Sequence, residues 1–243
     1  MNFEHGENQR NILQAEPVKY SVPWKPIDTW IGVIMLAVIE VGLLFLALLG
    51  RKNQLAQSGL LLIAELVYLL PVIIIFVWRR INWRAIGFGK FNWGMLAIGC
   101  GLLIASYGII YIHNLTLTLL GIDTQGVEIS GLFERIDNPV WFFLAGAVIA
   151  PLVEEIFFRG FLFQGFRAKY GWISAMLISA VIFGIAHLDL VALIPTFILG
   201  ILLAYLYHRT NSVWPGVIVH TLVNSSSLLV LYVITKYPGL IPS

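Results

Sequence analysis

Apolar residues in this chain come in long unbroken runs, separated by short polar connections, with no alternation of period two. Seven runs stand out, at about residues 29–49, 58–78, 92–120, 139–165, 172–188, 190–207 and 213–234. A bilayer core about 30 Å thick is crossed by about 20 apolar residues in a helix. Lipid cannot satisfy exposed backbone groups, so helices are expected where no barrel pattern shows. The pattern predicts an all-α, polytopic transmembrane helical bundle of about seven spans. The third run carries no charge from 92 to 119 and is longer than a bilayer requires, so it should tilt or project. The fifth and sixth runs are short and meet at Leu188-Asp189-Leu190. Two alternatives follow there: an eight-span bundle, or a helical hairpin that does not fully cross. No repeat or linker divides the chain. We read one structural domain, with a polar tail at 1–26, N-terminal transmembrane helices at 27–138, a further helical core at 139–234 and a C-terminal tail at 235–243.

Composition strengthens this reading. Of the 243 residues, 59% are apolar and 12% charged, against about 45–50% and about 25% in soluble domains. The formal net charge of +2 and the lack of a Lys/Arg block argue against a nucleic-acid partner. The single cysteine, Cys100, lies in an apolar run, excludes an internal disulfide and reads as a small buried hydrophobe. The polar tail (Glu4, Glu7, Arg10, Glu16, Lys19, Lys25) does not resemble a cleaved leader. Basic residues predict orientation. Arg79, Arg80, Arg84, Lys90, Arg167, Lys169 and Arg209 fall on one side with the N-terminus. Arg51, Lys52, Arg135 and Lys236 fall opposite, with Asp123, Glu128, Glu134 and Asp137. The expected arrangement is an integral membrane protein with a cytoplasmic N-terminus.

Charge inside a span costs about 2.5–3.5 kcal/mol on insertion scales and usually marks function. Three clusters break the later runs. In the fourth, Glu154 and Glu155 are followed by Arg159. Glu155 and Arg159 are spaced i,i+4 with the acid first, the better order for an ion pair. Glu154 points to another face and has no basic partner in its own turn, so it needs a donor from another helix. In the fifth, Phe183 and His187 share a face, so the aromatic ring can fix the imidazole. In the seventh, His220 and Asn224 share a face as paired hydrogen-bond donors suited to a developing oxyanion. Counted from the cytoplasmic helix ends, Glu154 lies about 15 Å deep, His187 about 20 Å and His220 about 10 Å. These groups meet only if helices tilt or begin later than the runs suggest.

Other polar positions read more plainly. A lone intramembrane histidine is often a helix-to-helix hydrogen-bond partner. Glu40 and Glu65 read as packing or as a mutual pair. His113 and Asn114 fit either a structural or a functional role. His208, beside Arg209, reads as a solvated loop residue, and His5 lies in the tail.

The order Glu-Glu-x-x-x-Arg, Phe-x-x-x-His, His-x-x-x-Asn resembles the CAAX protease and bacteriocin-processing (CPBP, or Abi) family of intramembrane peptidases. The resemblance covers about residues 139–230 and rests on Glu154, Glu155, Arg159, Phe183, His187, His220 and Asn224. Trp83-Arg84-Ala85-Ile86-Gly87-Phe88 is similar to a short element seen before that family's core. The resemblance implies hydrolysis of a peptide bond in a peptide or protein at the membrane, in a bacterial plasma membrane, and makes 139–234 the catalytic core. Glu154 and His187 would activate a water. His220 and Asn224 would hold the oxyanion, and Glu155, Arg159 and Phe183 would support them.

Cofactor use stays open at this stage. Glu154, His187 and His220 are candidate zinc ligands, since two His and one Glu form a known catalytic set. The compact His-Glu-x-x-His motif is absent, which favours a metal-free, glutamate-type site. Two other classes compete: a small proton-coupled transporter, which intramembrane Glu, Arg and His would also suit, and a non-catalytic immunity or partner protein.

Overall fold

The computed structural model describes residues 20–49, 63, 65–122 and 140–237. These residues form helices and no strands. The helices are α1 (Pro26–Leu49), α2 (Leu69–Arg79), α3 (Trp93–Leu119), α4 (Val140–Tyr170), α5 (Trp172–Ala186), α6 (Leu193–Thr210) and α7 (Trp214–Lys236). They follow the seven apolar runs. Residue 63 and residues 65–67, ahead of α2, are helical too. Five helices (α1, α3, α4, α6 and α7) are long and apolar enough to cross a membrane. The protein is an all-α polytopic membrane bundle. Arg51, Lys52, Asp123, Glu128, Glu134, Arg135, Asp137 and the tail residues before Tyr20 lie outside the described residues.

Two helices fall outside these five: α2, Leu69–Arg79, and α5 at the fifth run. α5 has 15 residues, about 22 Å of helix, too short for a bilayer core. α5 and α6 form an antiparallel hairpin, the alternative that the short runs allowed. Small residues hold the pair close. A Cβ on Gly200 of α6 would sit 2.9 Å from the Ala180 Cα of α5, and one on Gly184 would sit 3.1 Å from Leu193. The hairpin turn is fixed by His113 of α3, whose Nε2 lies 3.0 Å from the Val191 carbonyl. α3 continues past His113 to Leu119, about 9 Å further.

α4 is not a uniform α-helix. Its turns widen to π geometry at Leu144–Ile149 and again at Glu155–Phe163. Such bulges are rare and concentrate at functional sites. Residues 153–167 are buried without a break. Phe157, Phe158, Phe161, Phe163 and Phe166 pack there against Trp24 of the N-terminal segment, Phe76 of α2, Phe183 of α5 and Tyr207 of α6.

The basic end of the bundle is tied together by polar contacts. Arg79 donates twice to the fully buried Asp28 carboxylate, at 2.7 and 3.0 Å, joining α2 to the start of α1. A strap, made of the 3₁₀ turn Trp83–Ile86 and the residues up to Gly89, crosses the bundle end. Gln164 and Tyr207 donate to the Ala85 and Ile86 carbonyls at 2.8 Å each. Val213 N–H and Ser212 Oγ donate to the Gly87 and Gly89 carbonyls. Gly87 has φ +94°, and a Cβ there would sit 2.8 Å from the Asn211 carbonyl oxygen, so both conformation and space require glycine. Arg167 donates to Asn211 and stacks on Tyr20. His208 is not a solvated loop residue. It lies in the last turn of α6, with its ring stacked on Trp172 at 4.6 Å.

Candidate functional site

Glu154 closes the regular stretch Ala150–Glu154, and Glu155 opens the wider Glu155–Phe163 stretch. Arg159 Nη1 donates to Glu155 Oε1 at 2.7 Å, and both side chains are fully buried. The second Arg159 Nη donates to the Gly200 carbonyl at 3.3 Å, and the guanidinium lies 4.4 Å from the Phe183 ring centre. This pair is as expected from its spacing, with α5 and α6 closed around it.

His220, on α7, meets both glutamates. Its Nε2 lies 3.9 Å from Glu154 Oε2 and its Nδ1 lies 3.5 Å from Glu155 Oε1. One imidazole therefore spans the two faces of α4. Gly216, one turn earlier on α7, makes the approach possible, because a Cβ there would collide with the Glu155 carboxylate. Glu154 Oε2 and His220 Nδ1 are buried and make no hydrogen bond. Orphaned buried polar atoms are uncommon in folded proteins. Here they belong to an acid and an imidazole side by side.

His187 caps the C-terminus of α5. Its Nδ1 lies 2.7 Å from the Phe183 carbonyl. A carbonyl only accepts, so Nδ1 carries the proton, and when the ring is neutral Nε2 holds the lone pair. Phe183 ties it to the cluster. The Phe183 ring is edge-on to His187 at 4.7 Å and to His220 at 5.7 Å. Asn224 lies on the same face of α7 as His220 and donates Nδ2 to the Gly146 carbonyl, in the first widened stretch of α4, at 2.9 Å. An amide has two N–H donors, so one remains.

The depth count set Glu154 and His220 about 5 Å apart and let them meet only if helices tilt or begin later; here they are neighbours. Helix ends do not share a common zero. Ser212 and Val213, before α7, are themselves buried beneath the strap, and α4 runs on to Tyr170 through two widened stretches.

Among the described residues, no three His, Cys, Asp or Glu side chains are arranged to hold a metal ion. His220 offers one nitrogen to each glutamate, Glu155 is committed to Arg159, and His187 Nδ1 to a carbonyl. Glu154, His187 and His220 do not converge as a ligand set, and no step below is routed through a metal.

Two residues were not legible as site neighbours. Glu40 of α1 is half-buried and within electrostatic range of Tyr68, ahead of α2, and of His187 and Glu154. Glu65 interacts with Glu154 and Glu40. The Tyr68 ring packs against Phe157 and Phe158 at 6.2 and 5.9 Å, so the segment ahead of α2 lies against α4.

Comparison with known proteins finds similarity over the segment that holds these residues. Residues 136–226 match the family described as type II CAAX prenyl endopeptidase Rce1-like. A Bacillus subtilis (strain 168) protein named "Putative membrane peptidase YdiL" is 26% identical over 210 residues, covering 83% of this chain and 86% of that protein. The segment that carries the three motifs is thus similar to a CAAX endopeptidase family. Every residue of the three motifs lies inside the matched segment. A Lactococcus lactis subsp. lactis (strain IL1403) protein named "UPF0177 protein YxdF" is 35% identical over 78 residues, 32% of this chain and 42% of that protein. No solved structure matches. The match and the long apolar helices support an integral membrane protein that is similar to a family of membrane proteases.

Proposed function

We propose that the chain is an intramembrane endopeptidase that cuts a peptide bond in a membrane-associated or hydrophobic peptide or protein. One observation carries the reading: the buried, unpartnered Glu154 carboxylate oxygen beside His220, inside a helix that should be apolar. Glu154 and His187 Nε2 hold a water and take one of its protons. The water oxygen bonds to the scissile carbonyl carbon, and the carbonyl oxygen becomes an oxyanion. His220 and the free Asn224 N–H donate to it. Collapse of the intermediate breaks the C–N bond, and the abstracted proton passes to the leaving amine. Glu155 and Arg159 hold α4 in register, and Phe183 holds both imidazoles.

The matched family description names CAAX prenyl endopeptidases, so a prenylated C-terminal CAAX segment is the substrate to try first. The basic end of the bundle faces the cytoplasm by the positive-inside rule, placing the N-terminus there, in a bacterial plasma membrane. The experiment compares cellular peptides by mass spectrometry for wild type, Glu154→Gln and His187→Ala at equal membrane abundance. Peptides that accumulate uncut in both variants support the reading. Indistinguishable peptide sets reject it.

A further inference from the structure

A cavity of about 500 Å³ opens between α3, the start of α6 and the C-terminal half of α7. It continues the face of α7 that carries the motif residues. His220, Asn224, Ser227 and Leu231 are spaced i, i+4, i+7 and i+11, one stripe of a helix, and the last two line the cavity. Ser227 lies about 4.5 Å further along the axis than Asn224. Leu228 marks the near end. A Cβ on Gly146 would sit 3.3 Å from it, and the Gly146 carbonyl is the one that Asn224 bonds. Another wall is the hairpin turn that follows His187, through Val191 and Ala192.

Hydrogen bonds fix that turn. His113 Nε2 lies 3.0 Å from the Val191 carbonyl, and Asp189 Oδ1 accepts from the Val191 and Ala192 N–H groups at 2.8 and 3.3 Å. The lining is more polar than lipid requires. Tyr107 and Asn114 face the cavity from α3, Thr196 from α6, and Ser226 and Ser227 from α7. The Asn114 amide and the Ser227 hydroxyl bond no other described residue. Thr196 and Ser226 donate to carbonyls at 2.7 and 3.0 Å, and their oxygens keep lone pairs for a donor. A groove for an acyl or prenyl chain is lined at lower cost by apolar side chains. An extended peptide differs, because its N–H and C=O groups find no water in the bilayer and must be satisfied by protein. Hydroxyls and an amide from three helices supply those partners, with Ile110, Pro195 and Leu231 beside them for apolar side chains.

We propose that this cavity is a substrate subsite, which holds an extended peptide segment beside the bond being cut, with Asn114 and Ser227 as its binding residues. The proposal rests on the hydrolytic reading above and narrows its substrate. The substrate is a membrane-inserted chain that is unwound next to the cleavage point, not one recognised through a lipid chain alone.

The test uses full-length protein in proteoliposomes and an internally quenched, prenylated CAAX peptide, with cellular peptide profiling of the same variants in parallel. Asn114→Leu and Ser227→Ala should each raise KM about threefold to tenfold, with kcat within about twofold. Folded abundance should hold, since each removes a polar group from apolar surroundings. Ser227→Thr, which keeps the hydroxyl, should keep the wild-type KM. The peptide is also N-methylated at one backbone amide at a time, away from the scissile bond. Methylation at an amide seated in the cavity should raise KM in the wild type and cost less in Asn114→Leu. In cells, the Asn114→Leu/Ser227→Ala double variant should accumulate part of the uncut set seen with Glu154→Gln. An acyl or prenyl chain in the cavity would leave KM unchanged or lower it in Asn114→Leu. That result, or a wild-type cellular profile for the double variant, overturns this proposal and, with Glu154→Gln inactive, leaves the hydrolytic reading standing. Equal processing by wild type and Glu154→Gln in both assays overturns the hydrolytic reading and this proposal with it.

Discussion

α3 and α4 are both long and apolar enough to cross a bilayer, yet the protein uses them in opposite ways. α3 has no charge along its length, and Gly99 is its one buried residue. Ile104, Ile109 and Ile112 project outward. α4 carries Glu154, Glu155 and Arg159 and is buried on every side from 153 to 167. In a soluble protein the charge-free helix would be the core. In lipid the order inverts, because the solvent is as apolar as leucine and polar groups gain most from being enclosed. What α4 hides is a paired charge, an acid set against a histidine without a hydrogen bond, and five phenylalanines.

Substitutions can break or sharpen this contrast. The largest effect on activity belongs to Glu154→Gln or His187→Ala, each expected to cut hydrolysis by about 10²–10⁴-fold with folded abundance retained. A comparable loss from any α3 substitution would remove the contrast. Next comes Arg159→Ala, which leaves Glu155 buried without its partner. It should cost about 3–5 kcal/mol, read as loss of the folded protein in a thermal unfolding series in detergent. Gly216→Ala should cost about 1–3 kcal/mol, because its methyl group presses on a Glu155 carboxylate that Arg159 holds in place. Activity should fall with it, since the same push moves His220. The smallest effect should come from Ile104→Ala on α3, within about 0.5 kcal/mol and without change in turnover.

The helical class, the places of the runs and the three motifs were legible because long apolar runs and out-of-place charges are local signals. The spacing of Glu155 and Arg159 foretold their ion pair, and the spacing of His220 and Asn224 their shared face. The wide turns of α4 were not legible, since no local composition distinguishes them from α-helix and packing around 153–167 sets them. Depth counting could not bring the groups together by itself because each helix was measured from its own end, while Ser212 and Val213 start α7 from beneath a buried strap. That strap left only a weak trace, Trp83 to Phe88, because its bonds run mainly from backbone carbonyls to residues up to about 125 positions away. Glu40 and Glu65 read as packing or as a mutual pair, since nothing in one sequence shows which helix faces α4. The shortness of α5 was visible, and it carried the hairpin.

The central claim is that Glu154 activates water inside the membrane helix. It is tested most directly by supplying purified, reconstituted protein with a prenylated CAAX peptide in heavy-oxygen water and weighing the products. The account predicts that wild type releases a fragment with one heavy oxygen in its new carboxylate, and that Glu154→Gln, equally folded, releases none. Product formed at the same rate by both proteins would contradict it.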